Sequence, residues 1–410
     1  MTSFSSDEPQ AGVARQLSIV IPAFNEEGAI GPILQRVLST RDRLAEEGLK
    51  ELEVIVVDDG SHDRTAEIAR GVPAVRVIQL SENGGYGAAL KRGFSEARGD
   101  FLGFLDADGT YPPESLPDLC RIALAGADMV VGCRMNAQSN GMPISRRIGN
   151  RLFAGLVTVL GNGRVVDCAS GMRVLRRRAL NDLYPLPDGL HFTPVMSLRA
   201  MHEGLSVTEV PIPYAERIGE SKLRVSRDGL RYLRSIVWTA LSYDPVRVLG
   251  GAGLIGFALA AVIGVCLLIA RLSGVTTLGP AGVTAVFVAL VSAVGGLSLF
   301  NLGATFNYLL SIVRRKPVRR SIFRTPLFAE PLEHRFGWIG ALVAFAGLTL
   351  AILALSLGAD GWPIERLWLH LVVSALLILV GVQLVLSWML MKALEQVAQR
   401  EAARARNIDA

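Results

Sequence analysis

A chain of 410 residues, half of them hydrophobic and with a mean hydropathy of +0.39, has room for two or three domains and more apolar material than one soluble core needs. Its formal charge of +5, from 42 basic and 37 acidic side chains, is too mild to argue for nucleic acid, so the basic residues are assigned to a membrane surface and to phosphates. Cys120, Cys133, Cys168 and Cys266 show no CxxC pairing and no histidine spacing, which argues against a disulfide framework or a zinc site.

Met1–Gln16 is polar, without the apolar core of a signal peptide, and is expected to be a disordered tail on the cytoplasmic side. From Leu17, short β-branched runs alternate with helical stretches. Leu17–Ala23, Glu53–Val57, Val75–Leu80, Phe101–Leu105 and Asp128–Cys133 read as strands, with helices over Glu26–Gly48, Asp63–Arg70, Gly84–Arg98 and Pro113–Ala125. Such a series predicts an α/β domain with a doubly wound, mainly parallel sheet, in which ligands bind beyond the carboxyl ends of the strands. The polar tips at those ends are Asn25–Glu26, Asp58–Ser61, Asn83–Gly85, Asp106–Gly109 and Arg134.

Among them, Phe101–Glu114 (FLGFLDADGTYPPE) is the most pointed. A buried strand ends in Asp106 and Asp108, alternate residues that can converge on one hard cation, with Ala107 and Gly109 leaving room for a ligand. Alone, such a pair is more often a solvated turn or a helix cap.

Beyond Arg134 the pattern loosens into a polar loop, Asn136–Met142, a helix over Ile144–Leu160 and a proline-broken extended segment, Val207–Tyr214, restricted to a sheet edge. Residues 221–245 then read as amphipathic, with Leu230, Leu233, Val237 and Leu241 on one face and Arg224, Arg227, Arg231 and Arg234 on another, as in a helix lying in a membrane interface or packed on the soluble domain. Val246–Ala270, Ala281–Gly303, Phe336–Gly358 and Trp368–Met391 are each long enough to cross a hydrocarbon core of about 30 Å. The connector Arg314–Arg335 is strongly basic, so the positive-inside rule puts it, both termini and the 392–410 tail in the cytoplasm. Asn301 and Asn307 are expected to mark the exit of the second span or a polar contact between helices.

Taken in order, PAFNEE at Pro22–Glu27, VVDDGS at Val56–Ser61, NGGYGAALKRGF at Asn83–Phe94 and FLDADG resemble the family 2 glycosyltransferases of the GT-A fold. Ser170–Arg173 (SGMR) and Tyr214–Leu223 (YAERIGESKL) resemble marks of the polyprenyl-phosphate branch, the dolichol-phosphate mannose synthases and their bacterial relatives, some of which carry a similar membrane extension. The resemblance covers residues 17–243, with the GT-A domain ending near residue 220. It implies that Pro22, Phe24, Glu26, Asp58, Asp106 and Arg134 bind the nucleotide sugar, and that Asp106 and Asp108 hold Mg²⁺ or Mn²⁺ on its diphosphate. Arg134, Arg147, Arg217 and Lys222 would take the lipid phosphate, with Asp108, Arg217 and Lys222 in the catalytic set.

Two departures stand out. Thr110 occupies the position where the related synthases carry a metal-binding glutamine, and His191–Pro194 (HFTP) stands where hydroxyl-glycosylating members carry an acidic base. A lipid monophosphate, with a second pKa of about 6, needs no such base. The resemblance therefore implies an inverting transfer of one sugar, from a GDP-mannose-like or UDP-glucose-like donor to polyprenyl or dolichyl phosphate at the bilayer. A processive polysaccharide synthase is the rival enzyme, lacking here its QxxRW motif, and a non-catalytic module that binds nucleotide sugars is the rival from another class. A homo-oligomer is compatible with either.

Overall fold

A computed structural model describes residues 15–135, 141–161, 163–218, 225–275, 277, 279–314, 335–362 and 364–408. The chain divides into two compact units, Met1–Thr239 and Ala240–Ala410.

In chain order the first unit runs β1 (Arg15–Ala23), α1 (Ile30–Ser39), α2 (Arg41–Glu46), β2 (Leu49–Asp58), α3 (Thr65–Arg70), β3 (Val75–Gln79), α4 (Tyr86–Glu96) and β4 (Phe101–Phe104). It continues with α5 (Leu116–Leu124), β5 (Met129–Cys133), α6 (Ile144–Leu160), β6 (Arg173–Arg176), α7 (Arg177–Leu183), α8 (Phe192–Glu203), β7 (Val207–Pro211) and α9 (Val225–Tyr243). The seven strands lie in the order β3-β2-β1-β4-β6-β5-β7. All pairings are parallel except those of β6, which runs antiparallel to both β4 and β5. Strand β1 is central and buried along nearly its whole length, as a strand covered on both faces must be. Ile19 and Ile21 pack into one apolar layer, and Val20 into the other with Phe94, Phe104 and Phe192.

The expected helix over Glu26–Gly48 is two helices that meet at Thr40. Its buried hydroxyl donates to the Val37 carbonyl at 2.7 Å, a back-bond that bends the chain. Strand β7 occupies the sheet edge that its prolines require. Strand β6 went unseen in the sequence because it has four residues with arginine at each end, and fully buried Arg173 gives no apolar alternation. Its direction matters. Arg173 pairs with Phe104 in the antiparallel register, so the preceding Ser170–Met172 turn arrives at the same rim as the end of β4.

The second unit holds a π-helical turn, Val246–Gly250, followed by α10 (Gly251–Leu272), α11 (Pro280–Arg314), α12 (Phe336–Ala359) and α13 (Ile364–Ile408). Among the described residues, four stretches are long and apolar enough to span a membrane: Val246–Leu272, Pro280–Asn307, Phe336–Ala359 and Leu367–Val397. Asn301 and Asn307 stand near and at the end of the second candidate span, which stops at Asn307, although α11 runs on to Arg314. They lie inside α11 and are buried. Two glycine-lined contacts bring the helices close: Gly253 and Gly256 face Gly296, and Gly340 faces Gly381. The Gln383 amide also donates to the Ser298 hydroxyl at 2.8 Å, joining α13 to α11.

Candidate active site

At the carboxyl rim the first two loops are locked to each other. Asn25 adopts φ 51°, a left-handed conformation that asparagine tolerates, and its side-chain oxygen accepts from the His62 amide at 2.8 Å. The Asn25 amide donates to Ser61 Oγ at 2.9 Å and the Glu26 amide to Thr65 Oγ1 at 2.8 Å. The loop after β1 is thus held by the loop after β2, with Pro22, Phe24 and Glu26 lining a cavity of about 550 Å³.

Of the next acidic pair, Asp59 lines that cavity, whereas Asp58 is fully buried behind it. Asp59 accepts the Gly84 and Gly85 amides at 2.8 and 2.9 Å. Burial raises its pKa against the lowering effect of those two bonds. Asp58 Oδ1 accepts the Ser61 amide at 3.2 Å, and its Oδ2 has no hydrogen-bond partner among the described residues.

Asp106 and Asp108 sit in the cavity wall as the spacing predicts. Burial, and then the neighbouring Asp108 charge, push Asp106 up to about 7, against the lowering effects of Tyr86, Arg134 and Arg217. Asp108 Oδ1 accepts both the Thr110 hydroxyl at 2.6 Å and the Thr110 amide at 3.1 Å. Thr110 therefore orients Asp108 and directs its hydroxyl proton there. Arg217 donates to Glu26 Oε1 at 2.6 Å and lies 3.3 Å from Asp108 Oδ2.

A buried carboxylate whose proton affinity is raised by the charge of a second carboxylate beside it forms a site that a divalent cation relieves. No group of three or more histidine, cysteine, aspartate or glutamate side chains suited to a metal occurs among the described residues. The fit is to an ion that takes few protein oxygens and fills its shell from phosphate and water, as Mg²⁺ does.

Arg134 reaches the cavity from the end of β5. Its guanidinium makes a two-pronged contact with Asp167, Nε at 2.8 Å and Nη2 at 2.7 Å, and lies over the rings of Tyr111 and Tyr214 at 5.5 and 5.9 Å. Burial drives Asp167 up, but the Arg134 charge and hydrogen bonds outweigh it and hold the carboxyl below its ordinary range. Glu209 on β7 supports this pair by accepting the Val166 and Asp167 amides.

On α6 the cavity-lining arginine is Arg146, whereas Arg147 is not in the lining. On α9, Asp228, Arg231 and Tyr232 line the cavity, so Arg231 belongs to its wall rather than to a purely membrane-facing basic surface. Lys222 lies outside the described residues. His191 is half-buried at the start of α8 between lining residues Leu190 and Thr193. Burial, then Arg231, lower its pKa against the pull of Asp188.

A sequence profile of glycosyl transferase family 2 matches residues 18–184, and a profile of a domain of unknown function matches residues 245–405. The low-salt glycan biosynthesis hexosyltransferase Agl6 of Haloferax volcanii is 32% identical over 390 residues, covering 93% of this chain and 90% of that protein. The chain belongs to glycosyl transferase family 2. The dolichyl-phosphate hexose transferase of the same organism is 35% identical over 59% of this chain and 97% of its own length. The undecaprenyl-phosphate 4-deoxy-4-formamido-L-arabinose transferase of Edwardsiella ictaluri is 32% identical over 73% of this chain and 91% of its own. A solved structure of glucosyl-3-phosphoglycerate synthase from Mycobacterium tuberculosis, in complex with Mn²⁺, UDP and phosphoglyceric acid, is 22% identical with a TM-score of 0.46, covering 55% of this chain and 78% of that one.

As a family 2 glycosyltransferase, the enzyme carries a GT-A-like domain: a mostly parallel seven-stranded sheet with the antiparallel β6 inserted beside β4, whose end bears the acidic tip. Sequence reasoning missed Tyr86, Tyr111, Asp167 and Tyr232. The signal for Tyr86 was an aromatic residue set inside a glycine cluster, and for Asp167 an isolated acid just before SGMR.

Proposed function

We propose that this glycosyltransferase moves one sugar from a nucleoside-diphosphate sugar to a polyprenyl phosphate at the cytoplasmic face of a membrane, with inversion at the anomeric carbon. The observation that carries the reading is the continuity of one cavity. It runs from the nucleotide-type rim at Pro22, Phe24 and Glu26, past Asp106 and Asp108, to Arg146, Phe153 and Tyr232 on two helices. A donor at one end and an acceptor at the other would meet at the acidic tip.

The outer surface of α6 supports a lipid acceptor. Ile144, Ile148, Leu152 and Val159 are 74, 59, 64 and 68% exposed, while Asn150, Ala154 and Val157 face inward. With Leu230 and Trp238 of α9 also exposed, both helices that line the acceptor end turn apolar side chains outward, as at a bilayer interface. The polyprenyl-phosphate names of two relatives point the same way.

In the proposed reaction a phosphate oxygen of the acceptor bonds to the anomeric carbon, the bond from that carbon to the donor's phosphate oxygen breaks, and the nucleoside diphosphate departs with the electron pair. Asp106 and Asp108 would hold Mg²⁺ or Mn²⁺, which supplies positive charge to the diphosphate when bound. Arg217, between Glu26 and Asp108, adds a fixed positive charge beside the leaving group. Arg134 and Arg146 would receive the acceptor phosphate. An acceptor that is already anionic requires no general base, and none is assigned to His191.

The test incubates the purified full chain and polyprenyl phosphate with a panel of labelled nucleotide sugars, with Mg²⁺, Mn²⁺ or a chelator. Label extractable into butanol, formed with one donor and abolished by the chelator, is the expected result. Extractable label from no donor sinks the proposal.

A further inference from the structure

The glycine loop Asn83–Gly87 has the composition of a phosphate cradle, yet the amides of its three glycines are committed elsewhere. Gly84 and Gly85 donate to the Asp59 carboxylate, and Gly87 and Ala88 donate to the Asp188 carbonyl at 2.6 and 3.1 Å. The glycines answer a different need, the close approach of the loop before α8. A Cβ on Gly85, which also adopts φ 98°, would stand 2.7 Å from the Asp188 carbonyl oxygen, and one on Gly87 would collide with the Pro187 carbonyl oxygen. Lys91 closes the same contact through Asp188 Oδ1 at 2.6 Å and the Leu186 carbonyl at 3.1 Å.

This packing delivers one side chain to the site. Tyr86 donates its hydroxyl to Asp106 Oδ1 at 2.8 Å, with its ring edge-on to Phe192 at 6.4 Å. Gly171 packs against the same carboxylate, where a Cβ would lie 2.6 Å from the Asp106 carboxyl carbon. Asp106 therefore meets both a phenol and a bare Cα.

We infer that Tyr86 is a positioning residue for the divalent metal site: its hydroxyl, bonded to Oδ1, fixes the rotamer of Asp106 and leaves Oδ2 for the cation. The inference rests on the metal-site reading above. A carboxylate ligand steadied by an outer hydrogen bond loses affinity for its ion when that bond is removed, by about 10- to 100-fold.

The test titrates Mn²⁺ into the detergent-solubilised full chain with UDP or GDP present, following the electron paramagnetic resonance of free Mn²⁺, for wild type and Tyr86→Phe. Phenylalanine keeps the ring against Phe192 and removes only the hydroxyl. The expected result is Mn²⁺ binding weakened about tenfold or more, with the melting temperature of the metal-free protein unchanged. In turnover, the Mn²⁺ concentration for half-maximal rate should rise while the donor KM at saturating metal stays put. Equal Mn²⁺ affinity in the two proteins overturns the inference and leaves the metal site standing. A loss of binding matched by a lowered metal-free melting temperature also overturns it, since the hydroxyl then serves the fold. A wild type that binds no Mn²⁺ with either nucleotide removes the metal site and the inference together.

Discussion

Arg217 donates to Glu26 at 2.6 Å, although 191 positions separate them in the chain. The contact ties the segment after β7 to the first loop of the sheet, and the same guanidinium lies 3.3 Å from Asp108. Glu26 thus holds Arg217 beside the acidic tip. Arg217→Ala should lower kcat/KM for the donor about 100-fold, the scale for losing one charge-stabilising group at a reacting centre. Glu26→Gln keeps a hydrogen-bond acceptor and should cost less. Initial rates against donor concentration check both, and a Glu26→Gln defect as deep as that of Arg217→Ala would refute the supporting role.

Asp167 balances Arg134 in a buried pair whose exposed side-chain areas are 0 and 12%. Removing one partner leaves an uncompensated buried charge, at about 3 to 5 kcal/mol. Asp167→Asn should therefore lower the thermal midpoint of the GT-A unit, and transfer should fall with it. Arg134→Met removes the other charge but strands Asp167, and the double variant Asp167→Leu with Arg134→Met should regain stability without activity. Differential scanning of the four proteins decides the matter.

The rim itself was legible because each β-strand ends in a polar tip and a parallel sheet sends all such tips one way, as Asn25, Asp59 and Asp106 illustrate. What could not be read is contact made by the antiparallel strand. The direction of β6 alone decides that Gly171 abuts Asp106 and not the far edge of the sheet, and a four-residue strand capped by arginines carries no periodic signal of its own. Likewise the choice of Arg146 over Arg147, and of Asp59 over Asp58, is a matter of helix phase and of strand register at the rim. Adjacent like residues leave both undetermined in the sequence. The long apolar stretches of α10 to α13 were legible to within a few residues at most ends, because some twenty apolar residues in a row leave little choice. The ends of α11 and α13 were not, since the helices run on past the apolar stretch to Arg314 and Ile408.

Thr110, two residues beyond Asp108, hydrogen-bonds its carboxylate through the side-chain hydroxyl. Thr110→Val preserves shape and removes the hydroxyl, so transfer at limiting Mn²⁺ should fall about tenfold and recover in part at high Mn²⁺, as expected for a lost ligand-orienting bond. Thr110→Ser should restore the rate. A Thr110→Val enzyme with wild-type metal dependence would show that the amide contact at 3.1 Å suffices to hold Asp108.

Gly381 lies where α13 meets α12 most closely. A Cβ there would stand 2.6 Å from the Gly340 carbonyl oxygen and run into the Ala344 amide nitrogen, both of them backbone atoms that cannot rotate away. In a bilayer, where lipid tails are as apolar as leucine, packing at such small-residue contacts supplies much of the helix association. Gly381→Leu should force the two helices apart and lower the thermal stability of the membrane unit in detergent. Gly149→Ala is the control: its Cβ would meet nothing within 4 Å, although the residue lines the cavity of the other unit. Scanning fluorimetry through Trp338 of α12 and Trp388 of α13, with the remaining tryptophans replaced by phenylalanine, should report an earlier transition for Gly381→Leu alone. An unshifted transition for Gly381→Leu would mean that the α12–α13 contact contributes nothing to the unit's stability.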